Sequence, residues 1–136
     1  MLRYHIPFVI DHHSGLAPLV KEIDPEASVI LVRMAVSHES AQSNLSEKFG
    51  SQPEETPALL NASADSGAEA AMAFNVGTGV EDPAAYEYAI GVARDVLEQV
   101  AFKVRLLDIG GGFPKSYPGL SVPAFDDYFC TTRSAA

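Results

Sequence analysis

The chain has one cysteine, Cys130, and no tryptophan in 136 residues. A single thiol excludes an internal disulfide framework and fits a reducing compartment. Cations are scarce as well: 9 Lys and Arg stand against 18 Asp and Glu, for a net charge of −9. That balance excludes the clustered Lys and Arg that grip a nucleic-acid backbone, and it disfavours an anionic membrane surface. It leaves room for a small anion, which backbone amides can hold without basic side chains. No stretch reaches the ~20 apolar residues of a transmembrane helix. The start Met1-Leu2-Arg3-Tyr4-His5 has no apolar core of a secretory signal. A cytoplasmic location is therefore expected, without nucleic-acid or membrane partners. Metal ligation is not expected either: His12 and His13 are adjacent and point apart, and His5 and His38 are isolated.

What is present is a 47% hydrophobic, 20% charged composition, that of one globular domain able to bury a core. Short apolar runs alternate with helical patterns. Phe8-Val9-Ile10 reads as a strand, Ser14 to Ile23 as a helix and Val29 to Val36 as a strand apolar on both faces. An apolar strand of the last kind belongs in a buried parallel sheet. Pro53 to Ser66 reads as a helix and Ala70 to Asn75 as a strand, weak by propensity because alanine is a poor strand former. Asp82 and Pro83 then open a long helix to about Val100, with Ala85, Ala89, Val92, Val96 and Val100 on one face. Tyr86 and Tyr88 are placed at that helix's surface. Lys103 to Ile109 reads as a strand, and Ser121 to Cys130 as a final short helix followed by a frayed tail. Such alternation implies parallel βαβ units, either in a doubly wound sheet or in part of a (β/α)8 barrel. About four strands are visible, too few to close a barrel, which typically takes ~250 residues.

Two glycine loops close adjacent strands. Phe74-Asn75-Val76-Gly77-Thr78-Gly79 follows the third, and Leu106-Leu107-Asp108-Ile109-Gly110-Gly111-Gly112-Phe113-Pro114 contains the fourth. Glycine lets backbone N–H groups approach a ligand closely, and a loop at the C-terminal edge of a parallel strand suits a phosphate. A tight turn without a ligand accounts for either loop taken alone. Two on one sheet edge are more specific than one. Thr78 either offers its hydroxyl to a phosphate oxygen or bonds its own backbone in the turn.

Together with Leu45-Ser46-Glu47-Lys48-Phe49-Gly50, these two segments occur in the order and spacing of the ornithine decarboxylase family. The chain resembles that family from about Phe8 to Phe129. The resemblance implies an incomplete parallel (β/α)8 barrel of the alanine-racemase type, an α/β fold of about four βα units. It implies a partial pyridoxal-phosphate-binding domain over residues 8–130, with 1–7 and 131–136 as frayed ends. Its cofactor would be pyridoxal phosphate. Gly110, Gly111 and Gly112 match the loop whose amides hold the cofactor phosphate. Thr78 stands where the family has a phosphate-contacting serine. Asn75 stands where the family has a histidine stacked on the pyridine ring, and it offers no aromatic face. Arg33 resembles an arginine near that ring, and Lys48 a lysine that bridges the family's homodimer.

The family's reaction is decarboxylation of a basic amino acid, ornithine to putrescine in polyamine biosynthesis. The lysine that holds the cofactor covalently, the Glu-Pro-Gly-Arg segment and the second, β-rich domain have no counterpart here. Lys21 lies on a helix pattern, Lys48 belongs to another motif, and Cys130 is in a different context. The chain thus reads as a fragment, inactive alone and without a catalytic residue to assign. Two alternatives accompany this reading. One is a non-catalytic relative that binds and regulates. The other is an S-adenosylmethionine-dependent methyltransferase fragment, for which Leu107 to Gly112 would be the first motif.

Overall fold

The computed structural model describes residues 7–119 and 121–135. Four strands and four helices alternate: β1 (Pro7–Ile10), α1 (His13–Glu22), β2 (Val29–Met34), α2 (Thr56–Asp65), β3 (Glu69–Phe74), α3 (Ala84–Leu97), β4 (Leu107–Asp108) and α4 (Phe125–Ala135). All pairings are parallel and the sheet order is β1-β2-β3-β4. Each new strand is added on the same side of the one before. A doubly wound sheet reverses direction at a switch point, and no reversal occurs among the described strands. The winding is that of a barrel, so the doubly wound alternative falls and the partial (β/α)8 barrel stands.

The two faces of the sheet bury different residues because side chains alternate along a strand. Ile10, Ile30, Val32, Met34, Ala70, Met72 and Phe74 point to the helices and form the main core with Leu59, Leu60, Ala89, Ile90 and Val96. Leu31, Ala71 and Ala73 pack on the opposite face with Val29. The two-sided burial expected of β2 follows. On the edges of this inner face Val9 is 60% exposed and Leu106 47%.

Local chemistry sets the element ends. His12 caps α1, its Nδ1 accepting from the Ser14 amide at 3.1 Å. The second helix starts at Thr56 rather than Pro53, because the Thr56 hydroxyl donates to the Gln52 carbonyl at 2.8 Å and Pro57 fits only a first turn. Asp82 accepts from the Ala84 amide at 2.9 Å and so begins α3, which ends at Leu97. Its buried face is Ala85, Tyr86, Ala89, Ile90, Ala93 and Val96. That face is rotated from the expected stripe, and it places Tyr86 in the core instead of at the surface. Only Leu107 and Asp108 of the expected seven-residue strand Lys103 to Ile109 pair with β3, the sole neighbour of β4 among the described residues. The last helix begins at Phe125 and passes Cys130 to Ala135, where the Arg94 guanidinium donates to the Ala135 carbonyl. Residues 131–135, expected to fray, are thus helical. Of the expected frayed start, Pro7 lies in β1 and residues 1–6 lie outside the described residues.

Candidate functional site

The two glycine loops touch. Residues 75–79 follow β3 and 109–114 follow β4, and the parallel pairing puts both at the same sheet edge. Gly112, at φ 93°, is seated on the first loop, where an added Cβ would lie 1.9 Å from the Gly77 carbonyl oxygen. Gly110, at φ 70°, would bring a Cβ to 2.5 Å from the Phe74 carbonyl oxygen. Both glycines are therefore demanded by the fold itself. Gly111 is different: its φ is outside the left-handed region and an added Cβ would meet nothing within 4 Å. Neither backbone conformation nor packing requires a glycine there.

The loop hydrogen bonds leave a defined set of donors. The Gly110 amide donates to Asp108 Oδ1 at 2.8 Å, and the Gly77 amide to Asn75 Oδ1 at 3.0 Å. The Thr78 amide donates to the Ser43 carbonyl at 3.1 Å. Among the described residues, the amides of Gly79, Gly111 and Gly112 donate to no protein acceptor. The Thr78 hydroxyl, on an exposed residue, bonds no protein atom there either, so the turn-closing role is not its role. Free amides from two abutting glycine loops and a free hydroxyl are the donor set a phosphate requires.

Two buried tyrosines fix these loops from behind. Tyr86 of α3 donates its hydroxyl to the Gly111 carbonyl at 2.8 Å, and Tyr128 of α4 donates to the Val80 carbonyl at 2.8 Å. The Val80 amide in turn donates to the Gly112 carbonyl at 2.9 Å. The rings lock together: Tyr86 stacks on Phe113 at 5.0 Å and meets Tyr128 edge-on at 5.8 Å. Such aromatic pairs contribute about 0.5–1.5 kcal/mol each beyond their burial. Burial, then the neighbouring Tyr128, pushes the Tyr86 phenol up to about 12. Burial and the nearby acids Asp82, Glu81 and Asp127 raise Tyr128 as well. Both phenols remain protonated donors at neutral pH. This support was not legible in the sequence, since the partners lie 25 and 48 residues away.

The remaining sequence candidates are placed unevenly. Asn75 lies beside Gly110, its Cα and Cβ 3.2 Å from where a Cβ on that glycine would stand, and its side chain is turned back onto its own loop. Arg33 pairs in register with Ala73, which pairs with Asp108, so all three share one row of the inner face. Arg33 is two strands away from β4, about 10 Å of backbone spacing. Its guanidinium lies 5.0 Å from the centre of the Phe49 ring. Lys48 and Cys130 are exposed and outside this cluster. Among the described residues no three His, Cys, Asp or Glu side chains converge as metal ligands, and no helix is long and apolar enough to cross a membrane.

Residues 3–135 match the family model of the pyridoxal-binding domain of pyridoxal-dependent decarboxylases. The chain belongs to this family. Pyridoxal phosphate is the cofactor of such domains, and the donor set above fits its phosphate. The lysine/ornithine decarboxylase of Selenomonas ruminantium is 41% identical over 111 residues, 79% of this chain and 28% of the relative. The ornithine decarboxylase of Panagrellus redivivus is 39% identical over 100 residues, 70% of this chain and 23% of the relative. This pyridoxal-binding domain therefore spans about a quarter of the length of the curated relatives it matches. A crystal structure of an SrLDC mutant in complex with PLP superposes with a TM-score of 0.81 at 35% identity, over 93% of this chain and 34% of that one. The methyltransferase alternative is not supported: the strand order is that of a barrel and the matches are decarboxylases. The non-catalytic alternative likewise gains nothing from the geometry.

Proposed function

We propose that this chain is the phosphate-cradling portion of a pyridoxal-phosphate-dependent decarboxylase acting on a basic amino acid, ornithine giving putrescine. The observation that carries it is the contact of two glycine loops with unpaired amides on one sheet edge. Gly111 and Gly112 would donate to the phosphate, Gly110 would shape the turn, and Thr78 would add its hydroxyl. Arg33 would face the cofactor ring from the inner row. Asn75 would flank the ring without stacking on it, its amide oxygen being committed to the Gly77 N–H. When bound, the cofactor supplies an electron sink for the carbanion left by loss of a carboxylate.

Neither Lys21, in the last turn of α1, nor exposed Lys48 belongs to the glycine-loop cluster. The chain by itself is read as a binder without turnover, so incubation with labelled ornithine should release no carbon dioxide. Pairing of two copies through the Lys48 segment, and a cytoplasmic location for a protein with one free thiol, complete the reading. Thermal unfolding tests it. A midpoint that rises with pyridoxal phosphate concentration supports it, because a ligand that binds only the folded state stabilises that state by mass action. A midpoint indifferent to pyridoxal phosphate overturns it.

A further inference from the structure

The Gly111–Gly112 peptide joins an open residue to a packed one: Gly111 faces free space, and Gly112 is wedged against Gly77. Gly111 has no neighbour within 4 Å of an added Cβ, so no side-chain packing at that residue fixes the peptide's orientation. A planar trans peptide points its C=O and N–H in opposite directions, and no peptide bond here is cis. Whatever holds the Gly111 carbonyl therefore decides where the Gly112 N–H points.

Among the described residues, one group holds that carbonyl. The Tyr86 hydroxyl donates to it at 2.8 Å, from a side chain that is fully buried. The ring itself has little freedom, being stacked on Phe113 within 9° of parallel and met at 89° by Tyr128. The next peptide is fixed in the same manner by the Val80 amide on the Gly112 carbonyl at 2.9 Å. The loop is thus gripped by its carbonyls on the α3 side, and the Gly112 N–H is left with no protein acceptor among the described residues.

We propose that Tyr86 is a positioning residue for the anion site: by pinning the Gly111 carbonyl, its hydroxyl aims the Gly112 N–H at the phosphate of the bound ligand. This rests on the cofactor reading above. Tyr86 touches no ligand atom in this role, and its contribution is to keep the donor turned outward before the ligand arrives. The phenol's high pKa keeps its proton in place throughout the physiological range.

Tyr86→Phe removes the hydroxyl and keeps the ring. The affinity of wild-type and Y86F chains for pyridoxal phosphate and for pyridoxal, which lacks the phosphate, would be measured by calorimetry. Loss of one oriented hydrogen bond to a charged group should weaken pyridoxal phosphate binding roughly tenfold in Y86F and leave pyridoxal unchanged. Equal loss for both ligands, or no loss for either, overturns the inference alone. Failure of the wild-type chain to bind pyridoxal phosphate overturns the cofactor reading and this inference with it. A measurement on the wild type guards against a variant that does not fold. Adding pyridoxal phosphate should shift the Gly112 amide resonance strongly and slow its hydrogen exchange, while Gly110, already bonded to Asp108, stays put. A Gly112 amide indifferent to bound ligand overturns the proposal.

Discussion

Gly112 sits against Gly77 so closely that a methyl group on the former would come within 1.9 Å of the latter's carbonyl oxygen. The two glycine loops are thus one packed unit, and neither can be altered at that contact without moving the other.

The three consecutive glycines should therefore respond differently to alanine. Gly112→Ala combines a left-handed backbone with a backbone clash, and should cost on the order of 2–4 kcal/mol. Its thermal midpoint should drop by many degrees. Gly111→Ala should leave the midpoint within a few degrees of wild type, yet abolish the stabilisation by pyridoxal phosphate, because its methyl occupies the open side of the loop. Parallel melting curves with and without cofactor check both.

Thr78→Val keeps the shape of an exposed side chain and removes its hydroxyl. Stability should change by no more than about 0.5 kcal/mol. Affinity for pyridoxal phosphate should fall roughly tenfold, the worth of a hydrogen bond to a charged acceptor. Titration calorimetry would show it, and unchanged affinity would remove Thr78 from the site.

Alkaline pH should act through Tyr86. Its folded pKa, about 12, lies above the ordinary 10.0. The unfolded chain therefore loses this proton first. The stability linked to it is complete below pH 10 and declines as the pH climbs towards 12. Denaturant melts across that window should show a steeper decline for wild type than for Y86F, which keeps only Tyr128 of the two raised phenols.

Asp82→Ala removes the acceptor at the start of α3. Loss of such a cap costs about 1 kcal/mol. A lowered midpoint of a few degrees is expected, with cofactor affinity reduced less than in Thr78→Val.

The strands were legible where β-branched residues are dense, as in Val29–Met34, and also in alanine-rich β3, whose central position overrides a poor propensity. The glycine loops were legible because a run of glycines states its backbone need locally. Asp82 signalled its helix start for the same reason. The burial of Tyr86 is not legible in the pattern, because a tyrosine on an amphipathic helix fits the rim as readily as the core. What decides its place is the Gly111 carbonyl, brought near only by the crossover to β4. Its spacing to Ala89, Ile90 and Ala93 was the available signal. The two-residue length of β4 was hidden too, since pairing depends on what lies beside a strand.

Tyr128 reaches back 48 residues to the Val80 carbonyl. The ribosome delivers β3 and its loop well before α4, at a synthesis rate of about 5–20 residues per second. The sheet can begin to assemble during that interval, but the loop after β3 lacks this tether until α4 docks. The loop after β3 thus matures only once α4 has been made, and a chain stalled before Phe125 would emerge with these four strands but with that loop untethered.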